Sequence, residues 1–376
     1  MKSYMQPYTG VSRASFVDAV VPTLAPPKTI LRFFGDRAAG PRFVLTTGGR
    51  VIVVGDEHVW AAGGKAGALD TLQRGPMFEP WTGEMLSFSA LPARVLGWSR
   101  VGDVGRLVIV QQNADPGAHT IDTLVIRTNN DSPPSSDSRV FHSIGVAAAS
   151  ARGTTVAAFV DLASSTGGSP RAVLLDPARR VGGVVKALGK PRVVVERPFS
   201  EGSTYDVSAT ASGFAVLSLS SGASIDPTLS MEDMDTAQQW RRRARGQLHS
   251  LASWASRVTM LDEKLDELWH VDAPVAAKQP PIDGGDGRIY LVGDSVALVR
   301  EGKFLWVKDW PGQATAARDG MLVHVHDKTL RVIDDSGRER QLLYIDEGPI
   351  KTPPAIAEDG SVYFATAGKV WRAAPL

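Results

Sequence analysis

The chain has no cysteine among its 376 residues. That excludes disulfides, thiolate metal sites, iron–sulfur clusters and cysteine nucleophiles. It also lacks an excess of either charge, with 41 lysines and arginines against 40 aspartates and glutamates. The molecule as a whole therefore exerts no general pull on nucleic acid or anionic membrane, and any such contact has to come from a local patch. Long apolar runs are missing too. No segment approaches the roughly 20 apolar residues of a membrane helix. The opening Met1-Lys2-Ser3-Tyr4-Met5-Gln6-Pro7-Tyr8 has no secretory apolar stretch behind it, since the nearest patch, Phe16 to Leu24, is broken by Asp18 and Pro22. The expectation is a cytoplasmic protein without membrane insertion.

Familiar catalytic signatures are absent as well: there is no P-loop, no G-x-S-x-G elbow, no H-E-x-x-H and no dinucleotide fingerprint. Gly63-Gly64-Lys65-Ala66-Gly67 is glycine-rich but lacks the ending and the strand-to-helix setting of a phosphate loop, and reads as a hairpin loop.

What is present is repetition. Asp286-Gly287 leads into Arg288-Ile289-Tyr290-Leu291-Val292, then Val296 to Val299, then Lys303-Phe304-Leu305-Trp306. Asp319-Gly320 and Asp359-Gly360 open two further copies. Short β-rich runs separated by Asp-Gly turns read as half-buried strands joined by hairpins. Four of them in about 35–50 residues is the size of one propeller blade. Weaker copies begin near Arg42, Val95, Ile144 and Tyr205. The expected fold is an all-β, single β-propeller domain over 1–376, built of four-stranded antiparallel blades. The count gives about seven blades, with six or eight as neighbouring alternatives. The last unit is short of strands, and Thr29-Ile30-Leu31-Arg32-Phe33-Phe34 is the candidate that closes the ring from the other terminus.

One stretch breaks the β pattern. Trp240, Ala244, Leu248 and Leu251 recur at helical spacing, after the acidic turn Glu232-Asp233-Met234-Asp235. The expectation is a helical insertion near 222–256 within a blade. Trp240, Arg241, Arg242, Arg243 and Arg245 are its candidate partner-binding residues, against the plainer reading of a packed helix with a solvated basic face. A protein partner fits better than nucleic acid, because the chain as a whole is not basic. His324-Val325-His326 is the candidate metal pair, since residues two apart in a strand share a face. A third ligand such as Asp327 or His270 would be needed. The plainer reading is two histidines lining the solvent or channel side of a blade.

The repeats resemble those of the quinoprotein-like (PQQ-like repeat) propellers, whose blades pair an Asp-Gly-x-x-Tyr opening, often after proline, with a Gly-Lys-x-x-Trp closing. The matching residues are Pro281, Asp286, Gly287 and Tyr290 with Gly302, Lys303 and Trp306, then Pro354, Asp359, Gly360 and Tyr363 with Gly368, Lys369 and Trp371, the second closing one residue shorter. The resemblance covers roughly residues 257–376. The family includes dehydrogenases that use pyrroloquinoline quinone, and non-enzymatic scaffolds such as the outer-membrane assembly lipoprotein. The enzymes carry an adjacent Cys–Cys pair by the cofactor, and this chain has none; nor does it carry a recognisable calcium-binding Glu/Asn/Asp set or the lipoprotein's lipid-attachment Cys. The resemblance implies the propeller fold, no cofactor, and a non-enzymatic protein–protein interaction scaffold. The alternative is a propeller enzyme (hydrolase, lyase or dehydrogenase) with a metal or ligand site in the central channel.

Overall fold

The computed structural model describes residues 16–17, 19–32, 41–47, 50–55, 58–62, 69–74, 93–101, 105–113, 121–127, 136–142, 144–150, 155–160, 171–182, 184–199, 204–219, 256–273, 275, 277–317, 319–357 and 359–376. Two strands near the N-terminus, β1 (Phe16–Val17) and β2 (Lys28–Arg32), precede the repeats. The first sheet holds β3 (Pro41–Thr47), β4 (Arg50–Gly55), β5 (His58–Ala62) and β6 (Leu69–Arg74). The second holds β7 (Ala93–Val101), β8 (Gly105–Asn113), β9 (Ile121–Arg127) and β10 (Ser136–His142). The third is β11 (Ile144–Ala149), β12 (Val156–Val160), β13 (Arg171–Val181) and β14 (Val184–Pro198). The fourth is β15 (Thr204–Thr210), β16 (Gly213–Leu219), β17 (Ser256–Asp262) and β18 (Glu267–Ala273). The fifth is β19 (Ile282–Asp283), β20 (Arg288–Val292), β21 (Val296–Arg300) and β22 (Lys303–Lys308). The sixth is β23 (Gln313–Ala317), β24 (Leu322–His326), β25 (Thr329–Ile333) and β26 (Glu339–Tyr344), with β1 added in parallel beside β23. The seventh is β27 (Ala355–Ile356), β28 (Val362–Ala365) and β29 (Lys369–Ala373), completed by β2.

Each sheet is an antiparallel meander, and the first strand of each neighbours the first strand of the next from β7 round to β3. This is a β-propeller. Among the described residues no helix is long and apolar enough to cross a membrane. The region 222–256 lies, except for Ser256, outside the described residues, as do Trp240, Arg241, Arg242, Arg243 and Arg245.

The middle strands are buried on both faces rather than half-buried. In β20, Ile289 and Leu291 pack with Leu217, Val258 and Met260 of the fourth sheet. Its alternate residues Tyr290 and Val292 pack with Ala314, Ala316 and Leu322 of the sixth. Stacking sheets around a ring gives every middle strand two apolar neighbours, so the run reads continuously apolar. Each large side chain fully buried this way contributes about 1.5–3 kcal/mol. The outer strands keep a one-sided pattern: β22 alternates exposed and half-buried residues along its length.

The repeat motif works as a clasp between neighbouring sheets. The Tyr290 hydroxyl donates to the Gly320 carbonyl of the next sheet's Asp-Gly turn at 2.6 Å. Trp306 Nε1 donates to the Asp335 carbonyl at 2.8 Å, and its indole lies against Gly337, where a Cβ would come within 2.9 Å of the ring. Gly337 has φ +76°, so both its backbone and the tryptophan exclude a side chain there. Trp269 of the fourth sheet lies beside Gly302 more loosely, at 3.5 Å from where a Cβ would stand. The glycine and tryptophan of Gly302-Lys303-x-x-Trp306 therefore face opposite neighbours. Arg288, nearly buried, reaches Asp335 across the same junction at 3.4 Å. The two closings of the motif fall on different strands. Trp306 lies on the outermost strand β22, whereas Trp371 lies on β29, third in its sheet, and is buried, with Nε1 3.3 Å from Thr366 Oγ1.

The ring closes as the sequence predicts over the described residues 28–32. Lys28 pairs with Arg372 and Leu31 with Val370, so β2 supplies the outermost strand of the last sheet. The segment leading to it is wedged between the sixth and seventh sheets, with Ala19, Val21 and Leu24 in their shared core. Gln341 holds Leu24 from both sides: its Oε1 accepts from Leu24 N at 2.9 Å and its Nε2 donates to Leu24 O at 2.7 Å. Asp319, a turn residue, accepts from Val21 N at 3.1 Å.

The clasp yields a stability prediction. Tyr290→Phe removes a buried donor and strands the Gly320 carbonyl, which costs about 1–3 kcal/mol. A urea titration should show a lower midpoint with an unchanged slope; an unchanged midpoint would mean that the hydroxyl does not join the sheets.

Candidate functional site

Residues 220–255, outside the described residues, separate in sequence the two middle strands of the fourth sheet. β16 and β17 pair without a register shift from Gly213↔Asp262 to Leu219↔Ser256, so the sheet is complete up to the root of the excursion. In the fifth and sixth sheets the same connection is short: β20 and β21 are joined through Gly293 to Ser295, and β24 and β25 through Asp327 and Lys328. The root is firmly held. Ser256 N donates to the Val275 carbonyl at 3.2 Å, and Ser256 Oγ accepts from Ala277 N at 3.0 Å. Arg257 grips Asp272 of β18 with two bonds, Nε–Oδ1 at 2.8 Å and Nη2–Oδ2 at 3.1 Å. That guanidinium holds the Asp272 carboxyl below the usual carboxylate range.

The candidate histidines separate in environment although they share a strand. His324 is fully buried at 0% exposure and His326 is exposed. A loop passes directly over the His324 ring: a Cβ on Gly312 would lie 2.6 Å from Nε2. The loop is tied down by Gly312 N donating to Gly293 O at 3.1 Å and Trp310 N donating to Lys308 O at 2.9 Å. Backbone groups of Trp310 and Pro311 lie beside the imidazole and favour its protonation, yet neither closes a hydrogen bond of good geometry, and both ring nitrogens lack a partner. Burial, reinforced by the charges of Arg331 and His326, pushes His324 down to about 3, so it is neutral at physiological pH.

Trp310 sits between two cations, with Arg331 at 5.8 Å and Lys308 at 5.9 Å from its ring centroid. Arg331 in turn pairs with Glu339 at 3.1 Å. His270, the other candidate third ligand, lies on the outer strand β18 of the fourth sheet with its Nδ1 2.7 Å from Glu267 Oε1. Among the described residues, no three or more His, Asp or Glu side chains gather in a way that could hold a metal ion. The burial of His324 was not visible in the sequence, because the loop that covers it belongs to the preceding connection rather than to its own strand.

No protein-family model matches the sequence, and no curated protein is found similar to it. Among solved structures, a streptogramin B lyase matches with 9% identity over 92% of this chain and 96% of that chain, at a TM-score of 0.46. The CNH domain of AfRom2 matches with 11% identity over 93% and 99%, at a TM-score of 0.45. Neither likeness bears on activity.

The buried imidazole sets an acid limit on stability. In the unfolded chain a histidine titrates near 6.5, whereas His324 in the fold titrates near 3. Between those values the unfolded state binds the extra proton. The stability is therefore fully present above about pH 6.5 and falls by about 1 kcal/mol per pH unit as the medium is acidified. Denaturant titrations from about pH 6.5 down to about 5.3, a unit above the ordinary glutamate value, should show that decline. His324→Leu, in apolar surroundings, should flatten it; an equal slope in the variant would assign the decline to other groups.

Proposed function

We propose that this propeller is a non-enzymatic protein–protein interaction scaffold of the cytoplasm, related to the quinoprotein-like propellers, which presents its loops and the basic insertion 222–256 to a protein partner. The observation that carries this reading is the intact register at the root of the excursion. Leu219 and Ser256 pair as in an ordinary hairpin, so the fourth sheet does not need the residues between them. Binding loops on rigid frameworks are likewise dispensable to the fold and rooted in ordered strands, and here the root is tied by Ser256 and Arg257. Within the insertion, Trp240 supplies a large apolar anchor, and Arg241, Arg242, Arg243 and Arg245 supply forks for carboxylates.

Replacing 225–250 by a short glycine–serine turn should abolish partner capture from a lysate of the source cell and move the melting temperature by no more than a few degrees. Retained capture would overturn the reading, and a large loss of stability would assign the segment to packing. Charge reversal of Arg241, Arg242, Arg243 and Arg245 to glutamate should reproduce the loss of capture in a chain of full length.

The rival reading is an enzyme with a metal held through His324 and His326 near the central channel. Elemental analysis of the purified protein decides it: stoichiometric metal that His326→Ala releases would favour the enzyme, and metal-free protein of full stability favours the scaffold.

A further inference from the structure

Among the described residues, the longest strand pair exceeds what its sheet uses. β13 and β14 run for 11 and 15 residues, but β12 pairs with β13 only over Arg171–Leu175. Beyond that point the two strands continue as a ribbon, from Asp176↔Arg192 to Val181↔Val184, with irregularities on either side of Ala178. At about 3.3 Å per residue the ribbon extends about 20 Å past the last β12 partner, Leu175. β14 also meets β8, β9 and β10 of the preceding sheet, so the ribbon belongs to the outer rim of the ring.

Its chemistry differs from the near-neutral chain around it. Between Pro177 and Val195 there are five basic residues, Arg179, Arg180, Lys186, Lys190 and Arg192, and no acidic one. Arg180, Lys186 and Arg192 are exposed, Arg180 reaching back to Asp176. The tip carries no charge. Val181 and Val184 pair across it, which places both side chains on one face, and they are 68% and 57% exposed. Gly182 turns the chain between them at φ +58°.

An uncharged aliphatic tip flanked by cations matches one kind of surface. At an anionic bilayer the tip can enter the boundary between headgroups and acyl chains while lysines and arginines stay with the lipid phosphates. A nucleic acid would engage the cations but leave the valines uncovered, since base readout and stacking use polar or aromatic groups. We propose that the β13–β14 ribbon is a peripheral anchor for anionic lipid surfaces, with Val181 and Val184 as the inserting tip and the exposed Arg180, Lys186 and Arg192 among the headgroup contacts. The anchor involves no membrane-spanning segment, and it lies on a different sheet from the insertion.

Co-sedimentation of the full chain with vesicles tests this. Vesicles of phosphatidylcholine containing about a third phosphatidylglycerol should bind the protein at least roughly tenfold more strongly than phosphatidylcholine alone, with the difference shrinking as salt is raised. The pair Val181→Asp and Val184→Asp, and separately the triple Lys186→Gln, Lys190→Gln, Arg192→Gln, should each lower that binding roughly tenfold. Both variants alter a ribbon outside the four-stranded sheet and should melt with the parent. Removal of 225–250 should leave vesicle binding unchanged, which separates this anchor from the partner site. The proposal is overturned if anionic vesicles do not bind the protein, or if binding survives in both ribbon variants. It is likewise overturned if duplex DNA binds the ribbon in a way that the charge variant loses and the valine variant keeps.

Discussion

The molecule depends on the contact that each sheet makes with the turns of the next. A four-stranded sheet with two apolar faces is not stable alone, and it gains its stability by pressing each face on a neighbour. Tyr290, Trp306 and Arg288 add directional bonds to that non-directional burial, all aimed at the turns around Gly320 and Asp335. The apolar faces decide that the sheets stack, and the polar clasps fix how far one sheet slides on the next. Glycine is required in the receiving turn because its neighbour's tryptophan occupies the space of a side chain at Gly337.

Closure follows from the same constraint. A ring with one free sheet edge would expose both an apolar face and unpaired backbone groups. β2 covers the edge of β29 and brings the last sheet to four strands like its neighbours. The wedge from Ala19 to Leu24 fills the last inter-sheet gap, and Asp319 and Gln341 fix it there. The frame is complete without two additions: the residues between Leu219 and Ser256, whose register is that of an ordinary hairpin, and the ribbon beyond Leu175.

Much of this was legible in the sequence, and the omissions have physical causes. The Asp-Gly turns and the apolar runs of the middle strands carried the fold, because turn chemistry and two-sided burial both constrain residue type. The missing outer strand of the last unit pointed to residues 29–34, and β2 lies there. Outer strands were harder to see. β10 begins at Ser136, within a stretch that reads as a polar loop. β14, with Gly189, Lys190 and Pro191 in its middle, carries little strand signal, so the ribbon appears only when register is known. The spacing His-x-His does not show that a loop from the previous connection covers the His324 ring and leaves His326 exposed.

The central claim is that clasps and closing strand bind the sheets into one cooperative ring. Native-state amide hydrogen exchange on the full chain tests it most directly. The account predicts that the amides of 28–32 exchange with the same free energy as those of β24 and β29, and that Tyr290→Phe lowers all three together. Rapid exchange of 28–32 while β24 and β29 stay protected would contradict it, since the closing strand would then be an ornament on a ring held by other means.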